Sequence, residues 1–162
     1  MAIPAANANA ISDQVSEGIS IWPVKTLDRL LDLALEDGTR AVSLRRCTDN
    51  AREAFSAGWS GFRWPSVEEH LQRVVGRLPE GRLDLRVEFL ARLAASRRHS
   101  GDPKGGLHYL VEASRLLESD EGRRTVPDQP IAYLLQQRAM THRQLGDFGK
   151  AASDARRSIR IA

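Results

Sequence analysis

The sequence predicts an all-α fold, built as antiparallel helical hairpins, on three observations. From Trp22-Pro23 onward apolar residues recur at spacings of three and four, the period of an α-helix. Almost nowhere does apolar-polar alternation last long enough to argue a strand. Gly, Pro and Asp punctuate the periodic stretches at helix-length intervals, so about seven helices are expected. The bulk composition agrees. With 162 residues, 41% of them hydrophobic and 28% charged, the chain suits one domain of ordinary size and excludes both a disulfide-stapled miniature and a multidomain machine. Its dense Leu, Val and Ala exclude a disordered chain.

Residues 1–22 are Ala, Asn, Ser, Asp and Gly without a period, and read as an arm that is flexible or ordered by a partner. Residues 23–81 read as amino-terminal helices. Val24, Leu27, Leu30, Leu31, Ala34 and Leu35 keep the helical period, Pro23 suits a first turn, and Gly38 interrupts. Ala41, Val42, Leu44, Cys47, Ala51, Ala54 and Phe55 then form one helix or two, with Asp49-Asn50 as the break in the second case. Gly58 to Pro65 is a turn carrying Trp59, Phe62 and Trp64, and Pro65 opens the next helix. Glu68 and Glu69 lie near its start, where the helix dipole favours acids. Val67, Leu71, Val74, Val75 and Leu78 line it, and Pro79-Glu80-Gly81 ends it.

Residues 82–162 read as two hairpins. Leu83, Val87, Leu90, Ala91, Leu93 and Ala94 mark a helix to about Ser100, and Leu107, Leu110, Val111, Ala113, Leu116 and Leu117 mark its partner. Glu118 to Asp128 is polar, contains Gly122 and Pro127, and is expected to be a loop. Ile131, Leu134, Leu135, Ala139 and Leu145 mark the next helix, and Ala151, Ala152, Ala155, Ile159 and Ile161 the last.

The turns Gly101-Asp102-Pro103 and Gly146-Asp147-Phe148 sit in matching surroundings. Seven residues before each Gly lies a small residue (Ala94, Ala139), five after it another (Gly106, Ala151), and twelve after it a third (Ala113, Ser158). Helices joined by a short turn approach closely only where facing side chains are small, and periodicity alone would not place small residues at equal offsets twice. In this the chain resembles the tetratricopeptide repeat, most clearly from Tyr133 to Asp154, where Leu-Gly-Asp-Phe is followed by Ala151-Ala152. Leu135, Ala139, Gly146, Phe148, Ala151, Ala155 and Ser158 take motif positions. Leu90, Ala94, Gly101, Pro103, Gly106, Leu110 and Ala113 take them one repeat earlier, with Pro103 where the family has an aromatic. Gly101 and Gly146 are 45 residues apart, against a family repeat of about 34, so the excess falls in the Glu118–Asp128 loop. Residues 23–81 are then either degenerate repeats or unrelated helices, and a plain helical bundle is the alternative fold.

The resemblance implies a concave groove lined by the first helices of the repeats. Its positions fall on Glu88, Ala91, Ala95, Arg98 and His99, and on Tyr133, Gln136, Met140, Arg143 and Gln144. Such grooves bind peptides or extended protein segments, with Arg98 and Arg143 placed to pair with acidic or terminal carboxylates. The function so implied is that of a non-catalytic adaptor or assembly subunit.

No constellation argues for catalysis or for a cofactor. Cys47 is the single cysteine, and with His70, His99, His108 and His142 it makes no zinc-ligand spacing, so neither bridge nor metal is expected. Gly105-Gly106 lacks the Lys-Ser/Thr of a phosphate loop, Glu68-Glu69-His70 lacks the second His of a zinc protease, and Glu118, Asp120 and Glu121 read as solvated. Trp59, Phe62 and Trp64 read as a satellite core or as a partner-facing patch.

Of 24 basic residues three are Lys (Lys25, Lys104, Lys150) and the rest Arg, set against 21 acids for a net +3. The Arg residues interleave with acids and do not concentrate as nucleic-acid binding usually requires, although Arg156, Arg157 and Arg160 keep that reading as the rival. Ile159 and Ile161 are two apart and cannot share a helical stripe, so one should face away from the hairpin, where a second copy or a larger assembly could cover it. No apolar run is long enough to span a membrane, and Met1 to Ala10 has neither the basic nor the apolar part of a signal peptide, which makes the cytoplasm the default expectation.

Overall fold

The computed structural model describes residues 40–58 and 64–162. Every regular element among them is an α-helix: α1 (Arg40–Gly58), α2 (Trp64–Arg77), α3 (Leu83–His99), α4 (Pro103–Glu118), α5 (Asp120–Thr125), α6 (Asp128–Gln144) and α7 (Phe148–Ile161). The expected arm 1–22 and the expected helix over 24–35 lie outside the described residues. The chain divides into two compact units, Met1–Gly61 and Phe62–Ala162.

In the first unit α1 is a single helix. It runs unbroken through Asp49-Asn50, the place of the alternative break, and the Asp49 carboxylate pairs with Arg52 (2.8 Å) and faces Arg45 (3.7 Å) within the helix. Leu44, Cys47, Ala51, Ala54 and Phe55 are its buried stripe, at the expected period. Burial pushes the Cys47 thiol up to about 12, which leaves it protonated and unreactive at neutral pH.

The second unit is organised around α3, which packs against α2, α4 and α6. This explains a departure from the expected single stripe. Leu83, Leu85, Val87, Phe89, Leu90, Ala91, Leu93, Ala94, Ala95 and Ser96 are all buried, so α3 is enclosed on nearly every side. Beside it α2 buries Val67, Leu71, Val74 and Leu78, one per turn. Ion pairing adds to that contact through Arg97 of α3 and Glu68 of α2 (2.6 Å).

The two hairpins, α3/α4 and α6/α7, close with the same device. In the first, the Gly101 N–H donates to the Arg98 carbonyl (3.2 Å) and the Asp102 N–H to the Arg97 carbonyl (2.9 Å). In the second, Gly146 donates to Arg143 (3.1 Å) and Asp147 to His142 (2.9 Å). These bonds require a left-handed residue, and Gly101 and Gly146 supply it at φ 88° and 82°. The Asp after each Gly then caps the following helix, its carboxylate accepting from the Gly105 N–H (2.8 Å) and the Lys150 N–H (3.3 Å). One Gly-Asp pair thus stops one helix and starts the next.

The small residues at matched offsets are where the helices meet. A Cβ placed on Gly106 would lie 2.8 Å from the Ala94 carbonyl oxygen, so α3 and α4 touch at backbone distance. In the second hairpin Ala139 and Ala151 are buried, and Ser158 donates to the Ala132 carbonyl of α6 (2.9 Å). Helices α6 and α3 pack together, and α6 also packs on α4, so the second hairpin stacks on the first in a helical-repeat-like arrangement.

The expected loop over Glu118–Asp128 is corrected by the structure: its centre is α5. Ser119 caps this helix, accepting from the Gly122 N–H (3.0 Å), and acids at its start and Arg123 and Arg124 at its end complement the helix dipole. Its polarity conceals it, because only Val126, just beyond its end, is a buried apolar side chain.

His70, on α2, is 1% exposed, and burial lowers its pKa below the ordinary 6.5. Because the unfolded chain then takes up a proton at higher pH than the folded one, the stabilisation is complete above about 6.5 and is lost as pH falls below it. The urea midpoint is therefore expected to fall on acidification below about pH 6.5, and less so in His70→Gln, which a pH series of urea melts on both proteins would check.

Candidate protein-segment site

The seam where α3 meets α6 gathers most of the groove residues. Arg98 projects from the last turn of α3 toward α6, its Nη2 donating to Gln137 Oε1 (3.3 Å) and lying 3.9 Å from Met140 Sδ. The same nitrogen sits 3.2 Å from His99 Nε2. Arg98 is only 9% exposed, its Nε has no hydrogen-bond partner, and among the described residues no carboxylate lies within ion-pair distance of it. Burial lowers its pKa, and the nearby Arg143 guanidinium lowers it further. A buried guanidinium without a counter-ion is costly, and an arriving anion relieves that cost.

Around this cation the other side chains shape the surface. Tyr133 is half-buried, with the Arg92 guanidinium 5.1 Å from its ring centre, and Arg92 pairs with Glu88 at 3.0 Å. Burial raises the Tyr133 pKa, so its hydroxyl stays a neutral hydrogen-bonding group. His99 stacks on Trp64 with ring centres 4.7 Å apart, which ties the start of α2 to the end of α3. Burial and the Arg98 charge hold the His99 pKa down, so the imidazole is neutral at physiological pH. Met140 and Arg143 are exposed along the same side of α6.

The expected positions are therefore placed unequally. Arg98, His99, Tyr133, Met140 and Arg143 come together at the seam, and Gln136 and Gln144 are exposed on α6. Glu88 is largely covered and engaged by Arg92. Ala91 and Ala95 are buried and present no surface, because α3 is enclosed where a repeat's first helix was expected to be open. Of the aromatic turn, Trp59 and Phe62 lie outside the described residues, and Trp64 is half-buried against His99. At the end of the chain Arg156, Arg157, Ile159 and Arg160 are exposed and Ile161 is half-buried.

Sequence reasoning missed Gln137 and Arg138. Gln137 sits one residue past an expected groove position and turns inward to Arg98. Arg138 pairs with the buried Asp154 of α7 (3.2 Å) and donates to Ser114 of α4 (3.2 Å), joining three helices. A charged residue inside an apolar stripe was the available signal, since such a residue is rarely covered unless it is paired.

Among the described residues no group of His, Cys, Asp and Glu could hold a metal ion, and no helix is long and apolar enough to cross a membrane. Comparison with protein-family models, with curated proteins and with solved structures finds no match to this chain.

Proposed function

We propose that the chain is a tetratricopeptide-like adaptor or assembly subunit that holds a protein segment along the α3–α6 seam, with a carboxylate of that segment seated at Arg98 and Arg143. The observation that carries this reading is the buried Arg98 guanidinium, which lacks a carboxylate among the described residues and lies within the electrostatic reach of Arg143. Arg98 would supply positive charge from beneath the surface, Arg143 would meet the carboxylate from the exposed side of α6, and Met140 would offer apolar contact. The matched Gly-Asp turns and the stacking of α6 on α3 and α4 support the repeat reading. No side chain in this reading is asked to break or make a covalent bond.

The test uses an array of synthetic segments, each acidic one paired with its amidated counterpart, probed with the full chain. Retention is expected only for segments that keep free carboxylates, and Arg143→Glu should weaken it by about ten-fold or more, as for loss of a charged partner at an interface. Reversing both Arg156 and Arg157 should change it far less. The opposite order, with nucleic-acid binding that falls steeply as salt rises, would replace this reading with the nucleic-acid one.

A further inference from the structure

The seam contains a side chain that can change its charge. His99 follows Arg98 at the end of α3, and its Nε2 lies 3.2 Å from Arg98 Nη2, the nitrogen that also reaches Gln137 and Met140 of α6. A guanidinium nitrogen can only donate, so Nε2 is the acceptor and the neutral ring carries its proton on Nδ1. The ring lies on Trp64 with centres 4.7 Å apart and planes 18° from parallel, and it is half-buried. A second proton can be added only at Nε2, the atom that faces Arg98. It would set two cations side by side, while the indole face accepts a charged ring as well as a neutral one.

The charges around His99 decide what relieves that repulsion. On its own helix the Arg98 charge acts on the ring. From α6, Tyr133 and Arg143 act on Arg98, and burial keeps Tyr133 neutral, whereas His142 acts on Asp147. From α2 and α4, Glu68 and Tyr109 act on Arg97, which pairs with Glu68 (2.6 Å) and with Asp102 (3.4 Å). Cations thus gather at the seam while neighbouring acids are drawn to Arg97. A carboxylate arriving at the seam offsets the repulsion between Arg98, Arg143 and a charged His99, and so favours the proton. By reciprocity the proton favours the carboxylate by the same factor. Resting on the reading of the seam as a carboxylate site, we propose that His99 makes it pH-dependent: binding of the segment draws a proton from solvent onto Nε2, and the segment is held more tightly as the medium acidifies.

The probe is a rhodamine-labelled peptide of alternating Asp and Leu, whose carboxylates stay ionised down to about pH 5.5, compared by anisotropy with the same peptide carrying Asn for Asp. Affinity of the full-length chain for the Asp peptide is expected to rise about three-fold or more between pH 7.5 and 5.5, as for one added charge near an anion. His99→Gln keeps a side chain that can accept from Arg98 but cannot titrate, so it should match the parent at pH 7.5 and show no rise. Whatever acid does elsewhere, His70 included, is common to both proteins. In the parent, the NMR titration midpoint of His99 should move up when the Asp peptide is added and stay in place with the Asn peptide. A constant or falling affinity in acid, an equal rise in His99→Gln, or an unmoved midpoint would overturn the proposal. If the Asp peptide binds in preference to the Asn peptide at every pH without such a rise, this inference fails and the seam reading stands. If neither pH nor carboxylate gives binding, both fail.

Discussion

Phe89→Ala is expected to destabilise the second unit by about 3–5 kcal/mol, the usual cost of deleting a buried aromatic side chain and leaving a cavity. Phe89 is fully buried on α3, the helix that α2, α4 and α6 all pack against. Relaxation into the vacated space would have to move several helices at once, which places the expected loss toward the upper end. Such a loss is a large fraction of the whole stability of an ordinary domain, so much of the protein should be unfolded at modest denaturant. Urea unfolding followed by circular dichroism measures it, with Val111→Ala as the control. Val111 is 48% exposed, and its truncation should cost less than about 0.5 kcal/mol.

Phe89 also marks where sequence reading stops. Its place on a helix was legible from the three-and-four spacing around it, but its central role was not, because it stands outside the stripe Leu83, Val87, Leu90 and Ala94. Amphipathic periodicity reports a helix that covers one face, and α3 covers nearly all of them, so Leu85, Phe89 and Ala95 appear in the sequence as scattered apolar residues. Helix α5 was hidden for the opposite reason. It is held by a cap and by charges at its ends, and no apolar stripe runs through it. The hairpin turns were the most legible feature, since a left-handed residue followed by a helix cap narrows the choice to Gly-Asp at both places.

At the seam, the protonation and pairing of the side chains were not legible in the sequence. Arg98 and Arg143 were expected to stand alike, as equivalent positions of two repeats. They differ because Arg98 is covered by the next hairpin while Arg143 stands at the open side of α6. The place of each helix in the stack, and not the local sequence, decides which of the two side chains is buried.

Gly106→Leu should cost about 3 kcal/mol, at the upper end of the range for overpacking, and should act on the contact that defines the hairpin. The first atom added, a Cβ, would already lie 2.8 Å from the Ala94 carbonyl oxygen, and that obstacle is backbone, so no side-chain rotation relieves it. Helices α3 and α4 would have to separate, and their separation would disturb both the Gly-Asp turn and the seat of α6 on α4. Helix propensity works the other way: Leu favours a helix interior over Gly by somewhat under 1 kcal/mol, so an exposed glycine should gain from this change. Gly149, whose Cβ would meet nothing within 4 Å, supplies that comparison on α7. Gly149→Ala should leave the urea midpoint unchanged or raise it, while Gly106→Leu lowers it. A Gly106→Leu protein as stable as the parent would show that the two helices do not need backbone contact at Ala94, and the matched small residues would then lose their physical reason.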